Sequence, residues 1–453
     1  MADIVVRNGK LVTPEGVFEG GLSIEGEKIK KVAKDMNLPK EGKTIDAKGN
    51  YILPGAIDVH CHIGWPDWPL EQGCKTDTAA AAFGGVTTVI NFIIEPGSLV
   101  EAVERQKKIF EANSQVDFLF YAGIFDENHI EEIPTIFKAG VPGFKFFLPY
   151  RGSEATGGMT GIDDGILYLG FKKIATLPFP ARALVHPENV EPFWKLKSVL
   201  MKQGRGDLAA WAEARPNFLE EEAYVRSLYF SKRLGCPLHT VHISAAGSVD
   251  IAHRAKAEGS DFVACIQPQY FTLDDKGPYG ILGKVNPPIR SAENSERLWW
   301  GLREGVIDMV GSDHAPVPRK YKQNLWEAVV GIPNVETYFQ AMVSEGVSKG
   351  RIDLERLVQV CSYNPARIHG LYPRKGALIE GADADIVIVD MHKEKKITTE
   401  SLHQVTDYSP YEGWTFKGQP VLTMVRGQVA MENDSIQGKQ GWGEYLDFKT
   451  TPS

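Results

Sequence analysis

The chain has 453 residues, 43% hydrophobic and 24% charged, which excludes wholesale disorder. Its formal net charge is −8 and it carries no Lys/Arg stripe, which argues against a nucleic-acid partner. No apolar run reaches membrane-spanning length, "MADIVVRNGK" does not read as a signal peptide, and five cysteines lie scattered without CxxC pairs, so a cytoplasmic protein with reduced thiols and no membrane partner is expected.

Residues 1–52 alternate short apolar segments with Gly-containing turns, as in "DIVVRNGKLVTPEG", "GGLSIEGEKIKKVA" and "KTIDAKGNYILPG". Val5, Leu11, Ile24 and Ile29 lie in strand-forming runs, which predicts a small antiparallel sheet. Residues 53–370 have another rhythm. Eight strand candidates, "GAIDVHCH", "VTTVINF", "DFLFYAGIF", "GFKFFL", "RALVHPEN", "LHTVHISA", "DFVACIQPQ" and "IDMVGSDHAP", alternate with helical patterns such as "SLVEAVERQKKIFEAN" and "SVDIAHRAKAEG". That count predicts an α/β chain with a (β/α)8 barrel. A doubly wound open sheet competes, but no GxGxxG or P-loop follows its first strand. Residues 371–453 return to β texture: "GALIEGADADIVIVD" and "GQPVLTMVRGQVAMEND" both read as strand–turn–strand. One small β domain built from both termini is therefore expected.

Metal-ligand residue types gather at the predicted strand ends. His60 and His62 end the first strand, Lys145 lies in the fourth, His186 ends the fifth, His242 the sixth and Asp313 the eighth. A barrel sets these ends in a ring on the face that carries chemistry. In "HCH", side chains two apart on a strand share a side, so His60 and His62 can bind one ion while Cys61 points away. Each residue alone has a plainer reading. Paired core histidines are common, a lone His186 or His242 is usually a hydrogen-bonded structural residue, and Asp313 could cap a loop. The joint placement is harder to dismiss. Four imidazoles and an aspartate suit a borderline divalent ion, Zn2+ before Mn2+.

Lys145 stands among Phe144, Phe146, Phe147 and Leu148. Either its ammonium snorkels to the strand end or it is altered at a site. Burial beside two dications drives off its proton. The neutral amine can then take up CO2, giving N6-carboxylysine, whose two carbamate oxygens bridge two ions. A water between such ions becomes hydroxide near neutral pH. Asp313 would bind one ion, accept a proton as the hydroxide attacks and return it to the leaving nitrogen. Tyr150 could stabilise the oxyanion, or simply pack on its strand end.

At these residues the sequence resembles the cyclic amidohydrolases: dihydropyrimidinases, hydantoinases, allantoinases and dihydroorotases. The resemblance runs from "NGKLVTPEG" through "ILPGAIDVHCH", "GFKFF", "HPEN", "VHIS", "NPPIR" and "GSDHAP" to "KGALIEGADADIVIVD" and "VLTMVRGQV". It implies a TIM-like barrel with a β-sandwich from both termini and a homodimer or homotetramer. It also implies two zinc ions held by His60, His62, carbamylated Lys145, His186, His242 and Asp313. The implied reaction is hydrolysis of a ring C–N amide bond in a small cyclic substrate. The dihydroorotase arginine after HxH is missing from "HCHIGWPDW", and Val317 stands where those enzymes carry histidine. Tyr150 matches the oxyanion tyrosine of dihydropyrimidinases and D-hydantoinases. "HPEN" replaces their usual "HAEN", and Asn286 replaces the serine before "PP". By the same carry-over Trp65, Trp68 and Phe147 would line the mouth, though packing under the loop or at a subunit contact is the favoured reading of Trp68, and Asn286 with the backbone around Gly331 would grip the ring's amide edge. Hydantoins and dihydropyrimidines are the leading substrates. Allantoin or another cyclic imide or lactam is the alternative. A non-catalytic scaffold related to dihydropyrimidinases is the rival of another class, opposed by the intact ligand set.

Overall fold

The computed structural model describes residues 2–155 and 159–452. The N-terminal segment supplies β1 (Ile4–Thr13), β2 (Gly16–Glu25), β3 (Lys28–Ala33), β4 (Lys43–Asp46) and β5 (Tyr51–Pro54). β1–β2 and β2–β3 pair antiparallel, as expected. β4 and β5 instead run parallel to β1, so the predicted antiparallel sheet is in fact mixed. The cause is a crossover: after β3 the chain passes through a short helical turn at Asp35–Asn37 and returns to the start of β1. A strand laid down after such a return runs with its neighbour.

The barrel follows, with β6 (Ala56–Cys61), β7 (Val86–Ile93), β8 (Asp117–Gly123), β9 (Gly143–Phe147), β10 (Arg182–His186), β11 (Leu238–Thr240), β12 (Phe262–Ile266) and β13 (Met309–Val310). These are the eight predicted stretches, and they neighbour one another in chain order. The ends meet where His62 N–H donates to His314 O at 2.7 Å and Ser312 N–H donates to Asp58 at 2.8 Å. Along the strands alternate side chains part to opposite faces. Phe118, Phe120, Phe144, Phe146 and Val185 pack outward in the main core with the helices. Ile90, Phe92, Leu119, Tyr121 and Leu184 fill the barrel. On β9 the outward positions go to Phe144 and Phe146, which turns Lys145 inward. Helix Leu99–Asn113 starts at Ser98, whose hydroxyl accepts from Glu101 N–H, and helix Ala246–Ala257 ends just before Gly259 at φ +72°.

β14 (Ile386–Lys396), β15 (Thr415–Val425), β16 (Gln428–Glu432) and β17 (Ser435–Ile436) are antiparallel, and β14 joins them to β5. The first half of "GALIEGADADIVIVD" is not the expected strand. Gly376 and Gly381 take φ of +82° and +87°, and the stretch turns back to close the sheet, with Ile29 N–H donating to Ala382 O at 2.9 Å. Leu22, Ile24, Ile52, Ile386 and Leu422 form the core inside this fold-back. The chain's end returns under the barrel: Leu446 N–H donates to Phe118 O at 3.0 Å, and Leu446 joins the inner core. The barrel is thereby plugged at the N-terminal ends of its strands and open at the other. Among the described residues no helix is long and apolar enough to cross a membrane.

Candidate metal centre

The open end of the barrel gathers the ligand-type residues. His60 Nε2 and His62 Nε2 lie 3.2 Å apart, and Asp313 Oδ1 sits 3.1 Å from the first and 3.3 Å from the second. Lys145 is wholly buried, with Nζ 3.5 Å from His242 Nε2. The rings of His186 and His242 are 4.1 Å apart. His242 lies two residues beyond β11 and Asp313 three beyond β13, so neither ends its strand as expected. Both are left-handed, at φ +43° and +52°. A residue with a side chain persists there only when its surroundings hold it.

Burial lowers the Lys145 amine to about 7, although the Asp313 charge pulls the other way. Burial, then neighbouring cationic groups, holds His60 and His242 well below the usual imidazole range. Burial also lowers His186, against the pull of Glu188. These imidazoles are neutral at pH 7, the form that binds metal. Two Nε2 atoms and a carboxylate oxygen lie within 3.3 Å of one another around one point and present the N/O donor set that a divalent ion takes. The residues present therefore fit a divalent ion.

Neighbouring groups fix this geometry. The Asp58 carboxylate accepts from His60 N–H at 3.2 Å and Ser312 N–H at 2.8 Å, tying β6 to the turn that carries Asp313. His314 Nε2 lies 3.1 Å from Asp77, and its Nδ1 accepts from Asn334 N–H at 3.0 Å. His186 Nε2 is 3.3 Å from Glu188, which lies 3.2 Å from buried Arg215. Sequence reasoning missed all of these. Asp58 carried a signal, a carboxylate inside an apolar strand, whereas Arg215 carried none.

A cavity opens over the centre, lined by every one of the ligand-type residues and by Trp65, Phe147, Tyr150, Asn286 and Gly331. Trp65 Nε1–H donates to Val330 O at 3.2 Å, and its ring packs with Phe147 and Tyr150. Trp68 lies outside this cavity and donates to Pro316 O at 2.8 Å, the packing position expected of it. Asn286 Nδ2 lies 3.5 Å from the Tyr150 oxygen, and burial raises the phenol's pKa above its ordinary value. Gly331 has φ +130°, and a Cβ there would meet Ala315 Cβ at 2.7 Å. Its N–H already donates to Lys284 O at 3.1 Å and its carbonyl accepts from Tyr408 at 3.4 Å. Met159, Val285, Ala315 and Val330 complete the wall, and nothing in their local sequence marks them.

The amidohydrolase family pattern matches residues 217–430. An L-hydantoinase of Paenarthrobacter aurescens is 36% identical over 455 residues, covering 98% of both chains. This chain belongs to the amidohydrolase family. A D-hydantoinase of Rhizobium radiobacter is 33% identical over 459 residues, again covering 98% of each. The solved L-hydantoinase (dihydropyrimidinase) from Arthrobacter aurescens superposes with a TM-score of 0.91 at 35% identity, over 98% of this chain and 99% of that one. This amidohydrolase thus matches those enzymes end to end, terminal sheet and barrel together.

Proposed function

We propose that this amidohydrolase opens hydantoins or dihydropyrimidines at a two-ion centre built from His60, His62, Lys145, His186, His242 and Asp313. The hydantoinase relatives support hydrolysis of a cyclic amide C–N bond; the ring, the ions and the roles below are our reading. The observation that carries it is the convergence of His60, His62 and Asp313 on one point beneath an aromatic-walled cavity.

His60, His62 and Asp313 would hold one ion, and His186 and His242 the other. To hold an ion through Nε2, His186 would give up that atom's contact with Glu188. Lys145 as a neutral amine would add CO2 to form a carbamate, releasing one proton, and would so supply an anionic oxygen ligand where a neutral amine stood. Zn2+ fits the donor set best and Mn2+ second. When bound, the ions supply Lewis acidity toward a carbonyl and make hydroxide available at neutral pH. Asp313 takes the proton of the attacking water and delivers it to the leaving ring nitrogen. Tyr150 donates its O–H to the carbonyl oxygen as charge develops there. Trp65 and Phe147 exclude water and receive an apolar or aromatic ring substituent.

The test is a ring-opening screen of zinc-loaded protein across hydantoin, phenylhydantoin, dihydrouracil, allantoin, dihydroorotate and simple imides. Turnover of the first three is expected, with phenylhydantoin preferred over hydantoin. Turnover of allantoin or dihydroorotate alone contradicts the reading.

A further inference from the structure

Asn286 lines the cavity, yet its side-chain carbonyl is already committed. Oδ1 accepts from Trp211 Nε1–H at 3.2 Å and from Arg215 Nε–H at 3.1 Å. Two donors on one oxygen favour this amide orientation, because the flip would set an NH2 group against both, even with the Trp211 N–H shared with Val285 O at 3.1 Å. The NH2 group is thereby aimed at the Tyr150 oxygen, 3.5 Å away. A phenol oxygen that accepts there has its own proton left to give elsewhere, and accepting one hydrogen bond strengthens the next one donated. Arg215 is itself held rigidly. It is 1% exposed, and its guanidinium carbon lies 3.5 Å from the Phe193 ring centroid and 4.0 Å from that of Trp211. Glu188 sits 3.2 Å from its Nε and Glu154 3.5 Å from its Nη2. A planar fork stacked between two rings cannot be copied by a lysine.

We propose that Arg215, with Trp211, is a positioning residue that locks the Asn286 amide so that it donates to Tyr150, leaving the Tyr150 O–H to serve the substrate oxygen. Asn286 then acts through Tyr150 rather than by gripping the ring. The inference rests on the assignment of Tyr150 to the oxyanion.

The test is a double-mutant cycle on the zinc-loaded full chain, read as kcat and KM separately. Asn286→Ala and Arg215→Lys should each lower kcat by about tenfold to a hundredfold, with KM within about threefold, because the lost contact matters in the transition state. In a Tyr150→Phe background the same substitutions should cost no more than about twofold further, since groups acting through one another are non-additive. Trp211→Phe, which removes one of the two donors to Oδ1, should show a smaller loss with the same dependence on Tyr150. Zinc content and the thermal midpoint show whether each variant is folded. If Arg215→Lys fails to fold, the Asn286 and Trp211 arms decide alone. Full additivity with Tyr150→Phe, or a loss confined to KM, overturns the inference while leaving the ring-opening activity standing. A parent protein that opens no ring, or a Tyr150→Phe variant at parental rate, overturns the reading beneath it as well.

Discussion

Two buried clusters of ionisable residues lie at opposite ends of the barrel, and only one of them reads as a reaction centre. At the plugged end Asp117, Asp383 and Asp385 converge closely enough to suggest a metal site. Lys375 bonds to all three, at 2.7 Å to Asp385 and 2.9 Å to Asp383, and Arg426 reaches Asp117 at 3.0 Å. Arg374 adds a contact to Asp383 at 2.8 Å. Those carboxylates already have their cations, so the cluster ties the barrel floor to the terminal sheet. At the open end the balance is reversed. Imidazoles and one carboxylate crowd together beside an amine that burial brings down to about 7. Residue type is similar in the two places; which counter-charge the fold supplies decides whether a cluster is a fastening or a site.

The sharpest way to separate them is to remove the lysine from each. Lys145→Ala should abolish ring opening and metal uptake together while leaving a folded protein, and short carboxylic acids should restore part of both. Lys375→Ala should instead cost about 3–5 kcal/mol of stability, because it leaves buried carboxylates unpaired. Calorimetry and metal analysis on both variants check the contrast. Within the site, Asp313→Asn should lower kcat by about 10²–10⁴-fold through loss of the proton carrier, measured on hydantoin. Tyr150→Phe should cost about 10²–10³-fold in kcat with KM little changed.

The smallest effect expected is one of pH. Burial lowers Lys145 from 10.5 to about 7, so between those values the unfolded chain holds a proton that the folded chain has released. Stability of the metal-free protein contributed by this group therefore rises with pH through that window and is lost below it. The same window supplies the neutral amine that would take up CO2 in the proposed centre. Reconstitution of chelated protein with zinc and bicarbonate should be faster by a few-fold at about pH 8 than at about pH 6. A rate independent of both pH and bicarbonate would separate metal uptake from the amine.

The eight barrel strands were legible because their apolar runs are short, buried on both faces and punctuated by helical patterns. "HCH" was legible as a pair because strand periodicity alone fixes which side a residue takes. The route by which Asp313 and His242 reach the centre was not, since left-handed turns at non-glycine residues leave no mark in sequence. The direction of β4 and β5 depended on a crossover that local texture does not encode. Arg215 and Glu188 are distant in sequence from Tyr150 and acquire meaning only through tertiary contact. Asn286 was assigned to the ring's amide edge by resemblance, and only the fold reveals that Trp211 and Arg215 reach its carbonyl.

The most direct test of the two-ion account is a crystal structure of zinc-loaded protein grown in bicarbonate, paired with metal analysis of the same sample. About two ions per chain, with a carbamate on Lys145 lying between them, is the predicted result. An unmodified Lys145 amine beside a single ion, in protein that turns over hydantoin at full rate, would contradict it.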